Sequence, residues 1–119
     1  VMDNEGPVAV LDVSATCHMP DILEAPYRPA LRDECLGGQA VRLGGPSCLA
    51  GDVIGTYGFD ALPQAGDRLA FLDQAHYSMV KTTTFNGVRL PALAIWNSDT
   101  DALRMVRTFD YADFEGRLS

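Results

Sequence analysis

The sequence predicts a mainly β domain, a small Greek-key-like barrel or sandwich, and three observations carry that expectation. Short runs of β-branched and apolar residues recur along the chain, glycine-containing turns separate them, and no stretch sustains a long helical period. With 119 residues there is room for one domain only. A hydrophobic share of 47% against 21% charged residues is a globular balance rather than a disordered one.

Taken in order, PVAVLDVSA (Pro7 to Ala15) reads as a largely buried strand. Thr16 to Arg32 holds Pro20, Pro26 and Pro29, each of which removes a backbone donor and turns its predecessor away from helix. That segment is expected to be an ordered loop with one short turn at Asp21 to Ala25. Asp33 to Gly38 is a turn, and Gln39 to Leu43 and Asp52 to Tyr57 are short strands. After the turn Ala65-Gly66-Asp67, Arg68 to Leu72 alternates as a strand does, and Ala75 to Met79 suits a helical turn. Thr82 to Phe85 and Val88 to Leu90 flank Asn86-Gly87, a pair suited to the positive φ of a tight hairpin. Ala92 to Trp96 is a further strand, and Ser98 to Asp101 offers N-cap side chains to a short helix through Arg107.

Charge and composition exclude several roles. A net charge of -7 lacks the basic face that nucleic acid requires and suits a cationic small molecule instead. Apolar runs such as PALAIW are too short to span a membrane. No basic, apolar leader opens the chain, and the three widely spaced cysteines, Cys17, Cys35 and Cys48, do not form a disulfide framework. Reduced thiols in the cytoplasm are the expectation. The chain enters its first strand almost at once, as a piece of a longer chain would.

Three stretches stand out chemically. RLGGPSCLAGD surrounds Cys48 with glycines that permit sharp turns and close approach, and places Asp52 four residues on. Cys48 is there either a small buried hydrophobe or a displayed thiol. AHYSMVKTTTFNG sets Tyr77 beside a histidine and a threonine run, a polar strand face or a phosphate contact. CHMPDILEAPYRP carries His18, Asp21 and Glu24 in a proline-stiffened loop, the kind of place where binding groups concentrate. Zinc is not expected, because the only close ligand pair, Cys17-His18, is adjacent and the others are scattered. A Cys-His nucleophilic pair through His18 or His76 lacks an evident orienting group.

In that order, GGPSCLAGD, GDRLAF and AHYSMVKTTTFNG resemble the C-terminal β-domain of the alanine-racemase-fold (fold-type III) pyridoxal-phosphate decarboxylases, which act on ornithine, arginine, diaminopimelate and carboxynorspermidine. With SATCHMPDILEAPYRP included, the resemblance is nearest to the carboxynorspermidine-type branch. It implies an N-terminal (β/α)8 barrel outside this chain, whose lysine holds pyridoxal 5′-phosphate, and a homodimer with each active site at the subunit interface. It implies that Cys48 enters the partner's site and protonates the decarboxylated carbon, and that Tyr77 contacts the cofactor phosphate. Asp52 then either meets the substrate's distal ammonium or caps its own turn. Glu24 falls near an acid that reads the distal amine, with His18 and Asp21 as rivals. The diaminopimelate enzymes carry Glu, and the ornithine enzymes Asp, directly after the cysteine, whereas this chain has Leu49. An apolar residue there suits a methylene chain, as in carboxynorspermidine or carboxyspermidine, and disfavours those two relatives. The remaining alternative is a non-catalytic homologue that keeps the fold as a binding protein. On this reading the chain alone is inactive.

Overall fold

The computed structural model describes residues 2–3, 6–25 and 27–118; Pro26, one of the three loop prolines, lies outside them. The elements in chain order are β1 (Met2–Asp3), β2 (Gly6–Val10), α1 (Ala15–His18), α2 (Asp21–Glu24), β3 (Gln39–Gly44), β4 (Val53–Phe59), α3 (Ala75–Lys81), a 3-10 turn at Phe85–Gly87, β5 (Leu93–Asn97), β6 (Ala102–Arg107) and α4 (Tyr111–Glu115). They build a four-stranded sheet in the order β1-β2-β3-β4 and a separate β5-β6 ribbon.

The sheet turns on β3. Val41 and Leu43, two apart, place their side chains on one face and are buried there. β2 lies parallel to β3 (Val8 opposite Arg42) and β4 antiparallel to it (Val41 opposite Tyr57). The β3-β4 register slips at Leu43/Gly44, so two residues of β4 oppose one of β3. That bulge shifts the strand's phase, and both Ile54 and Tyr57, an odd number of residues apart, reach the core. Ala15, Met19, Ile22 and Leu31 close over them from the β2-β3 crossover. Each fully buried aliphatic contributes roughly 1.5–3 kcal/mol.

Tyr57 fastens the crossover to the sheet. Its hydroxyl donates to the Pro29 carbonyl, and its ring meets Phe71 edge-on at 5.9 Å. The Arg28 guanidinium lies 4.0 Å over the same ring and forms a two-pronged ion pair with Glu34. Glu34 in turn accepts from Gly58 N at 3.1 Å.

The mainly β expectation holds, but the described strands do not close into a barrel. β5 and β6 pair with each other rather than with a sheet edge, so the four-stranded sheet stays open. Thr16 to Arg32 contains two helical turns instead of one, because Ser14 supplies an N-cap that Cys17 N bonds at 3.0 Å. Arg68 to Leu72 is not a regular strand; only Phe71 bridges, to Leu31.

Two further expectations are corrected. Ala102–Arg107 is a strand rather than a helix. Asn97 Oδ1 accepts from Asp99 N and Thr100 N, Asp101 takes φ 55, and the chain reverses into a hairpin before any N-cap forms. Thr82 to Leu90 is no hairpin either, although Asn86 and Gly87 adopt φ 55 and 78. Its flanks spend their polar groups elsewhere: Thr83 N on Cys17 O, Phe85 O on Cys17 Sγ, and Arg89 O on the His18 ring. α4, which the sequence reading did not anticipate, begins at Asp110 with a reciprocal capping box to Asp113.

Candidate active-site segment

The loop between β3 and β4 sorts its side chains sharply. Ser47 is fully buried, while Cys48 next to it is exposed and Leu49 is 46% exposed. Gly45 N donates to Asp52 O at 2.8 Å and Asp52 N to Leu49 O at 3.0 Å, closing a compact turn. Cys48 holds φ 65, a left-handed conformation that costs a non-glycine residue on the order of 1 kcal/mol or more. Its sulfur has one hydrogen-bond partner among the described residues, Pro46 O at 4.0 Å. The geometry is that of a displayed thiol, not a packed one.

Asp52 points inward. Its side chain is 4% exposed and accepts from Ser14 Oγ, Thr16 N, Ser47 N and Ser47 Oγ at 2.6 to 3.1 Å. Burial alone would raise its pKa and is the largest single influence. The Ser47, Thr16 and Ser14 hydrogen bonds together outweigh burial and hold the carboxyl below its usual range. Asn86 adds a clasp from the 3-10 turn, donating to Ser47 O at 2.7 Å.

His18 is also committed inward. Ser14 N, necessarily a donor, meets Nδ1 at 3.1 Å, and Nε2 lies 2.8 Å from the Arg89 carbonyl, necessarily an acceptor. The ring therefore bears its proton on Nε2 and ties α1 to the chain after the 3-10 turn. Both of its nitrogens are in use.

Asp21 and Glu24, on α2, share one cation. Lys81 Nζ lies 2.6 Å from Asp21 Oδ1 and 3.5 Å from Glu24 Oε2, and its pKa is raised chiefly by the Asp21 hydrogen bond. Tyr77, one turn earlier on α3, is 69% exposed, with the Lys81 ammonium 5.7 Å from its ring centre. Asp21, Tyr27, His76 and Tyr77 line a cleft of about 140 Å³. So the structure gathers Asp21, Glu24 and Tyr77 around Lys81, and Cys48 and Asp52 in one loop; α1, with His18, joins the two groups. Ser14, Ser47 and Asn86 were missed by sequence reasoning. The visible signal was Ser14 ahead of a turn of helix, in N-cap position.

No protein-family model matches the chain. It is 53% identical over 113 residues to the carboxyaminopropylagmatine decarboxylase of Synechocystis sp., covering 92% of this chain and 29% of that protein. It is 40% identical over 131 residues to the carboxynorspermidine/carboxyspermidine decarboxylase of Campylobacter jejuni, covering 98% and 34%. This chain is a homologue of those decarboxylases. A further carboxynorspermidine/carboxyspermidine decarboxylase, from Herminiimonas arsenicoxydans, is 40% identical over 94% of the chain. The fold agrees: the crystal structure of Campylobacter jejuni carboxynorspermidine decarboxylase complexed with norspermidine matches 98% of the chain with a TM-score of 0.88. The chain spans about a third of the length of these relatives (35% of that crystal chain).

Proposed function

We propose that the chain is the C-terminal β-domain of a pyridoxal 5′-phosphate-dependent decarboxylase of polyamine biosynthesis. The substrate class is an α-amino acid on an aminopropyl arm, with a cationic group at the far end: carboxynorspermidine, carboxyspermidine or carboxyaminopropylagmatine. The observation that carries the reading is 40% to 53% identity to enzymes named for those substrates, over nearly the whole chain.

The residues present fit the margin of a cofactor site. The Tyr77 hydroxyl has no hydrogen-bond partner among the described residues and is free to donate to a phosphate oxygen. The chain's one lysine, Lys81, pairs with Asp21 and Glu24, and covalent anchoring of the cofactor is assigned to the barrel lysine that the resemblance implies. When bound, pyridoxal phosphate takes up the electron pair left as carbon dioxide departs.

This chain's own contribution is orientation, selection and one proton. The Cys48 thiol, held out by its loop, supplies the proton that the α-carbon gains where the carboxyl was lost, and the thiolate is reprotonated from solvent. In the homodimer that the resemblance implies, the α-carbon belongs to the partner subunit's site. Leu49 lies beside the thiol as an apolar contact for the methylene arm. Asp21 and Glu24 accept from the distal ammonium or guanidinium in place of Lys81.

The test is turnover of the three substrates by the full-length protein, with release of carbon dioxide and of the amine both measured. Cys48→Ala is expected to lower kcat by about 100-fold or more, or to divert product to a carbonyl by-product. Tyr77→Phe is expected to weaken cofactor retention. Unchanged rate and product in Cys48→Ala would end the assignment of the thiol.

A further inference from the structure

Asp52 has the four-residue offset from Cys48 that suggests a substrate ligand, yet every hydrogen bond it makes runs into the protein. Oδ1 takes Thr16 N at 3.1 Å, Oδ2 takes Ser47 Oγ at 2.6 Å and Ser47 N at 3.1 Å, and Ser14 Oγ sits between the two oxygens, 3.0 Å from Oδ1 and 2.9 Å from Oδ2. None of these donors is a cation, and the group is buried. A carboxylate buried to this degree, with both oxygens turned to protein donors, is not presented to a substrate ammonium.

What it joins is informative. Ser14 and Thr16 begin α1, which runs directly into α2 with Asp21 and Glu24, whereas Ser47 precedes Cys48. Ser14 Oγ also accepts from Cys17 N, so the same hydroxyl caps α1 while donating to Asp52. Ser47 is clasped on its other side by Asn86. The segment bearing the substrate-reading acids and the loop bearing the thiol thus share one carboxylate. Gly45 guards the arrangement: a Cβ there would stand 2.7 Å from Asp52 Cγ and 2.8 Å from Oδ1. No side chain fits at 45 while Asp52 keeps its place.

We propose that Asp52 is a positioning residue for decarboxylation: its buried carboxylate holds the β3-β4 loop against α1 and keeps Cys48 in the left-handed conformation that displays the thiol. The proposal rests on the reading of Cys48 as proton donor. Free of this clasp, Cys48 relaxes toward the common backbone regions, and its sulfur moves by the ångström or so that separates productive proton transfer from failure.

The experiment is Asp52→Asn in the full-length protein, read by steady-state kinetics and by iodoacetamide alkylation of Cys48, followed by peptide mass spectrometry without substrate. Expected are a kcat lower by about 10- to 100-fold with KM within about threefold, and a severalfold faster alkylation of the loosened thiol. A raised KM with kcat preserved makes Asp52 a substrate ligand and overturns the proposal. A lowered melting temperature with kcat and alkylation unchanged makes it a fold residue only, and also overturns it. Gly45→Ala should reproduce the signature in the wild type and add nothing in Asp52→Ala, where the clash is gone; additive effects refute the clasp. Should Asp52→Asn not fold, Ser14→Ala removes one of the carboxylate's donors together with the α1 cap and must show the same kcat and alkylation signature in milder form; a lowered melting temperature with both unchanged counts against the proposal. Absence of decarboxylation in the wild-type protein defeats the functional reading alone, because the alkylation arm still decides whether Asp52 holds the thiol.

Discussion

Replacing Tyr57 by Phe removes one oxygen from the place where the crossover is fastened to the sheet. The ring stays: its edge-on contact with Phe71 at 5.9 Å and the Arg28 guanidinium at 4.0 Å do not need the hydroxyl. What is lost is the donor to Pro29 O, in a residue that is fully buried. A buried carbonyl stripped of its partner costs roughly 1–3 kcal/mol. Opening of the 27–35 segment should therefore become about 5- to 150-fold easier. Hydrogen exchange with mass spectrometry reads this directly through two amides, Arg32 N on Ala70 O and Cys35 N on Gly58 O. Faster exchange should be confined to peptides covering this segment. Tyr57→Ala, which also removes the ring, should cost about 3–5 kcal/mol. Unchanged protection in Tyr57→Phe, or an equal loss in β5-β6 peptides, would show that the bond is not the local fastening.

Two more outcomes are expected. Asp52 has a depressed pKa in the fold, so its ionised form stabilises the protein above the ordinary carboxylate value of about 3.9, and that stabilisation is lost as pH falls through the lower folded value. The stability gap between wild type and Asp52→Asn, measured by denaturant melts, should be full at neutral pH and shrink below about pH 4; a gap constant with pH refutes the ionic reading. Gly58→Ala should block folding or lower stability by several kcal/mol, because a Cβ there runs into the Cys35 carbonyl, a backbone atom that cannot step aside; a soluble variant with wild-type melting behaviour refutes it.

The parts of the fold legible in the sequence were those set by local pattern. β3 and β4 match the short apolar runs expected at Gln39 to Leu43 and Asp52 to Tyr57, and the β3-β4 loop follows from its glycines. The similarity to the decarboxylases was legible because GGPSCLAGD and YSMVKTTTFNG are contiguous motifs, whereas the loop's residues left Cys48 open between a packed and a displayed thiol. The failures share one cause, which is competition from other partners, near or far. Asn86-Gly87 adopted the left-handed geometry its residues favour, yet its flanks bonded to α1 instead of to each other. Ser98 to Asp101 offered caps, but β5 supplied a partner strand for Ala102–Arg107. Asp52 was seen as a candidate; that its partners are Ser14 and Thr16, 38 and 36 residues away, lies beyond any local pattern.

The β5-β6 ribbon has a practical consequence. All of β6 is exposed, and a two-stranded ribbon of this kind has little stability of its own. The chain's single tryptophan, Trp96, sits on it, 54% exposed, its indole N–H bonded to Asp101 at 3.0 Å across the turn. Its fluorescence therefore comes with an address. A shift toward the blue marks the ribbon being covered, a shift toward the red marks it fraying, and neither reading requires a label.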